Sequence, residues 1–94
     1  MKAIIDNKLY DTETAEPIIA FLRRVDKGPI AWNPKLHWTP PHTFTLYRTT
    51  RGSYFEYDKD DHRINVVAEI DARTVVRKLD PDKYMELFGY VEEG

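Results

Sequence analysis

Ninety-four residues, 41% hydrophobic and 32% charged, have the balance of one small soluble globular domain, too short for a dinucleotide fold or a barrel of about 200–250 residues. With no cysteine, disulfides, thiol catalysis and sulfur-ligated zinc are excluded, which fits a reducing cytoplasm. The formal net charge of −2 lacks the basic excess of a dedicated nucleic-acid binder and the acidity of a DNA mimic.

Along the chain, Lys2–Ile5 reads as a strand, Asp6-Asn7 as a tight turn tolerant of the left-handed conformation, and Lys8–Tyr10 as the returning strand. Asp11–Thr14 is turn chemistry. The stretch 16–25 is ambiguous. Ala15, Ile18, Ile19, Leu22 and Val25 fall at helical spacing, while Ile18–Leu22 is rich in strand formers. Residues 27–42 form a Pro/Trp-rich loop that holds four of the six prolines, both tryptophans, His37 and His42; proline stiffens it and keeps helix and central strand out.

Thr43–Asp58 is a β-hairpin, with Gly52 at the end of its loop. Pairing Arg48 with Ser53 sets Leu46 opposite Phe55 and Phe44 opposite Tyr57 on a core face. It sets Tyr47 opposite Tyr54 and Thr45 opposite Glu56 on the other. Ile64–Ile70 is a further strand. Two short helices close the chain. Asp71 is the expected cap of the first, over Ala72, Val75, Val76 and Leu79; Asp80 caps the second, with Pro81 at its first position and Tyr84, Leu87 and Phe88 as its stripe. Gly89 is the expected stop, with Tyr90 in contact just beyond it. The fold class is α+β: a single domain over 1–94, an antiparallel sheet of five to six short strands, and the helix pair on one face.

Chemistry is sparse. Ser53 is the sole serine and lacks a nucleophile elbow, and the glycines are too scattered to cradle phosphate. Asp60-Asp61-His62 is the tightest ligand-like run and reads as a solvated turn. Glu56, Asp58, Asp60 and Asp61 are carboxylates at a hairpin end, expected to face water. The reading is therefore not an enzyme, with no cofactor and no metal. Eight Lys/Arg against five Asp/Glu over 1–55, and six against eleven over 56–94, divide the charge into +3 and −5. The basic half carries the binding candidates. Trp32 and Trp38 sit in the stiff loop, and Tyr47, Tyr54, Arg48 and Arg51 lie near one hairpin end. The same tyrosines and arginines would suit a nucleic-acid-binding or regulatory module, the alternative reading. The longest apolar run, Ile18–Leu22, is far short of a membrane span, and the start of the chain lacks the apolar core of an export signal, so no membrane partner is expected.

Three stretches carry a resemblance: Lys2–Ala15; Thr45–Thr49 with Gly52, Tyr54 and Phe55; and Asp82-Lys83-Tyr84 with Phe88-Gly89 and Val91-Glu92-Glu93. Together they resemble a family of small, mostly uncharacterised proteins encoded by bacterial phages, conjugative elements and plasmids. That family usually has Asn-Gly where this chain has Asp6-Asn7, a polar loop where 27–42 is Pro- and Trp-rich, and a Gly-rich segment where Asp58–Asp61 stands. The resemblance favours a strand over 16–25 and brings no catalytic residues. It implies a non-enzymatic inhibitor of bacterial defence, anti-CRISPR-like. Such a protein would act in the host cytoplasm as a monomer or homodimer and bind a defence protein complex such as a CRISPR effector.

Overall fold

The computed structural model describes residues 1–24, 40–89, 92 and 94. Its order is β1 (Lys2–Ile5), β2 (Lys8–Asp11), β3 (Glu16–Arg23), β4 (His42–Arg48), β5 (Tyr54–Asp58), β6 (Arg63–Val67), α1 (Glu69–Leu79) and α2 (Pro81–Phe88). The α+β class holds, but the six strands form two antiparallel sheets: the pair β1-β2, and four strands in the order β3-β4-β5-β6.

Asp6 and Asn7 turn β1 into β2 with φ of 50° and 65°, the left-handed pair of a two-residue hairpin turn. In β3 the strand reading prevails over the helical spacing. β3 lies at the sheet edge, where Pro17 removes no central ladder bond, and an irregularity between Pro17 and Ile19 lets Ile18 reach the core. The last residue of the expected loop, His42, is the first of β4 and is buried. Residues 27–39 of that loop, Val25 and Asp26 before it, and Tyr90 lie outside the described residues.

The β4–β5 register differs by one residue from the sequence expectation. Thr49 N–H donates to Ser53 O at 2.8 Å, Ser53 N–H to Thr49 Oγ1 at 3.1 Å, and Gly52 N–H to Thr49 O at 2.9 Å. Three residues lie between this closing pair, and Gly52 has φ 84°. Arg48 therefore pairs with Tyr54, Tyr47 with Phe55, Leu46 with Glu56 and Phe44 with Asp58. A one-residue slip exchanges the faces of a strand. Tyr54 joins Leu46 on one face, and Tyr47, Phe55 and Tyr57 occupy the other.

Both faces are covered as a result. On the first, Ile18, Leu46 and Tyr54 pack against Ala72 and Val76 of α1, with Tyr84, Leu87 and Phe88 of α2 around them. On the second, Tyr10 and Ala15 pack with Phe55 and Ile64, with Ala3, Ile5, Tyr47 and Tyr57 alongside. Tyr10 meets Phe55 edge-on at 5.7 Å, and Tyr47 stacks on Phe55 at 5.0 Å. The molecule is layered as hairpin, sheet and helices.

β6 ends at Val67, earlier than expected, and α1 starts from Ala68, which supplies no side-chain cap. Asp71 is thus inside the first turn rather than at the cap, and Leu79 is exposed. Asp80 does cap α2: its Oδ1 accepts Lys83 N–H at 3.1 Å, with Pro81 following. Gly89, at φ 103°, ends that helix. No helix among the described residues is long and apolar enough to cross a membrane.

Leu46 is fully buried and Leu22, on the neighbouring strand, is 67% exposed. Leu46→Ala should cost about 2–5 kcal/mol in urea unfolding, and Leu22→Ala less than about 0.5 kcal/mol. Equal losses would contradict the assigned faces.

Candidate functional site

Of the six residues expected to bind a partner, Trp32 and Trp38 lie outside the described residues. The other four do not form one surface. Tyr54 is 5% exposed in the core beneath the helices, and Tyr47 is on the opposite face against Phe55. The expected Tyr47–Tyr54 pair is absent, and with it the two-tyrosine platform of the nucleic-acid alternative. Arg48 sits beside Glu16, Nη2 to Oε2 at 3.2 Å. A hydrogen bond with the Tyr54 hydroxyl, outweighing a small loss of solvation and helped by Glu16, raises its pKa above the ordinary arginine value. Arg51 alone is free at the exposed tip of the β4–β5 turn.

Around Arg51 the structure gathers residues the sequence did not single out. A groove of about 610 Å³ runs between the end of the β1–β2 hairpin and the β4–β5 turn, lined by Lys8, Leu9, Thr14, Thr50, Arg51 and Ser53 among others. Leu9 is 58% exposed, and its cross-strand partner Ile4 is 76% exposed on the outer face of the hairpin. The inner face of that hairpin is buried through Tyr10, so the alternation leaves an apolar pair facing outward. Lys8 and Arg51, cations with no hydrogen-bond or ion-pair partner among the described residues, line the groove beside Leu9, Lys8 from the hairpin face it shares with Ile5 and Tyr10. The sequence signal was the alternation in Ala3-Ile4-Ile5 and Lys8-Leu9-Tyr10, where apolar residues fall on both faces.

Of the four carboxylates expected to be solvated, Asp60 and Asp61 are exposed and the other two are not. Glu56 and Asp58 are buried, on the same face as Tyr54. Arg23 clamps Glu56 with two bonds, Nη1 to Oε2 at 2.7 Å and Nη2 to Oε1 at 3.1 Å. The same guanidinium lies 4.9 Å from the Phe21 ring and 5.2 Å from the Phe44 ring. Asp58 Oδ2 is 2.8 Å from His42 Nδ1, and Asp58 Oδ1 accepts the backbone N–H groups of Asp60 and Asp61 at 3.0 and 3.2 Å. Asp60 Oδ2 accepts Thr43 N–H at 2.7 Å. Burial alone would raise the Asp58 pKa. The hydrogen bond from His42, the two backbone N–H groups and the nearby His42 charge outweigh it and hold the carboxyl below its ordinary value. An ionised carboxylate only accepts, so Nδ1 of His42 carries the proton.

Ligand atoms of His42, Asp58 and Asp60 lie within 4.8 Å of one another, a grouping with the makings of a cation site. Asp58 uses both its oxygens, and Asp60 one, for donors of this chain. The cluster thus acts as a fastener between the start of β4 and the β5–β6 turn. It joins His42, at the start of β4, to Asp58 at the end of β5 and Asp60 in the turn, which a search for ligands close in sequence could not reveal.

No known family, curated protein or solved structure matches this chain.

Asp58→Ala should destabilise by about 3 kcal/mol at pH 7, because it leaves the buried His42 donor and two half-buried backbone N–H groups without their acceptor. Since the folded pKa of Asp58 is depressed, its contribution is full above the unfolded value and is lost as pH falls through the folded one. Urea unfolding from pH 7 to 3 should therefore show the variant losing less stability than wild type below about pH 4. Parallel acid arms would contradict the fastener.

Proposed function

We propose that this chain is a small, non-enzymatic protein of a mobile element that inhibits a bacterial defence complex, anti-CRISPR-like, by binding one of its proteins. The setting comes from the resemblance carried by 2–15, 45–55 and 82–93. The observation that carries the binding role is the groove in which Lys8 and Arg51, with no hydrogen-bond or ion-pair partner among the described residues, stand beside the exposed Leu9, whose cross-strand partner Ile4 is exposed as well. An exposed apolar pair costs solubility unless something covers it, and the cations of the groove steer an acidic protein surface towards it. Trp32 and Trp38 remain contact candidates on their residue type alone. Tyr47 supports the contact by packing on the hairpin side of the sheet, while Tyr54 and Arg48 hold the β4–β5 and β3–β4 strands and do not face the groove. The buried acids give this reading its non-catalytic side, since their oxygens serve internal donors. In this reading the site of action is the cytoplasm of the bacterial host.

The test is a phage-plaque and plasmid-interference assay in hosts with intact defences, paired with a pull-down from lysate of the same cells. Wild type should protect and capture a defence protein. Lys8→Glu/Arg51→Glu should lower both by at least about tenfold while leaving the urea midpoint nearly unchanged. Protection in none of the hosts, or capture of nucleic acid in place of protein, would overturn the proposal.

A further inference from the structure

A second groove lies on the helix side of the sheet, away from the hairpin. It has a volume of about 520 Å³ and runs between β6 and α1. Its polar lining comprises Arg23, Glu56, Asn65, Asp71 and Thr74; Val67, Ala68 and Val75 give it an apolar wall. Arg23 and Glu56 neutralise each other through their paired bonds. Asp71 is the remaining charge, and its carboxylate has no hydrogen-bond or ion-pair partner among the described residues. It stands in the first turn of α1, with Ala68 and not Asp71 at the helix cap. One arginine against two carboxylates leaves the groove at −1. Each Glu56 oxygen accepts one bond from Arg23 and has capacity for a second.

We infer that this groove is a socket for a lysine or arginine side chain presented by a partner protein. The aliphatic stem of such a side chain lies along Val67, Ala68 and Val75, and its charged head meets Asp71, the Asn65 amide oxygen and the spare capacity of Glu56. Charge complementarity selects this occupant: an acidic group would meet Asp71 head-on, and a purely apolar one would strip water from polar groups it cannot satisfy. The socket is bounded by α1, whereas the Lys8–Arg51 groove is bounded by the β1–β2 hairpin, so it does not rest on the defence reading.

The experiment is a two-dimensional NMR titration of the full chain with arginine amide, lysine amide and norleucine amide. The two basic amides should give saturable shifts at Asn65, Asp71 and Thr74, and norleucine amide none. Asp71→Asn should weaken the response by about tenfold or more. Glu69→Gln removes the same charge from the same helical turn, outside the groove, and should leave the response within about twofold of wild type. Asn65→Asp adds a carboxylate to the lining and should tighten binding, an arm that holds even if Asp71→Asn folds poorly. Equal shifts from norleucine amide, equal losses in Glu69→Gln and Asp71→Asn, or no gain in Asn65→Asp would overturn the assignment.

Discussion

The pairing of Thr49 with Ser53 closes the β4–β5 turn around three residues, the last of them Gly52 in the left-handed region. Every other layer follows from that closure. With Arg48 opposite Tyr54, the aromatic residues of β5 are shared between two faces instead of gathered on one. Tyr54 faces the helices, and Phe55 and Tyr57 face the hairpin. Sheets without side crossovers often leave one face to water. Here both faces are apolar, so the chain needs a layer on each side, and its first and last segments supply them.

The same register determines where the charges go. Glu56 and Asp58 follow Tyr54 on the helix side, beyond the apolar patch, and are buried there. A buried carboxylate without partners would be severely destabilising. Arg23 from the end of β3 and His42 from the start of β4 meet them at 2.7 and 2.8 Å. Such pairs are weak contributors to net stability compared with apolar packing, but they penalise any alternative pairing that leaves them unmatched. A slip in β5 would bury two charges on the hairpin side, away from Arg23 and His42. The fasteners and the turn therefore enforce the same register.

Much of the element order was legible in the sequence. Asp6-Asn7 and Asp80-Pro81 are local signals whose physics is complete within a few residues, and the structure uses both as read. The register was not legible. Tyr-Phe-Glu-Tyr-Asp places aromatic residues on both faces, so its alternation fits either phase, and only the turn length decides between them. That one ambiguity also concealed the burial of Glu56 and Asp58, since their partners Arg23 and His42 are distant in sequence. The start of α1 is not legible for a different reason: Ala68 offers no capping side chain, and Asp71 looks like a cap that the chain does not use. Its freedom is what gives the β6–α1 groove its charge.

Lys8 and Arg51 border one groove, and Asp71 sets the charge of another, on the far side of the sheet. The division of the two faces depends on the β4–β5 register, and ring-proton NOE spectroscopy reads that register directly. Strong contacts between Tyr47 and Phe55, whose ring centroids are 5.0 Å apart, with none between Tyr47 and Tyr54, are the predicted result. Tyr47–Tyr54 contacts would contradict it, and with it the division of the two faces and both grooves built on them.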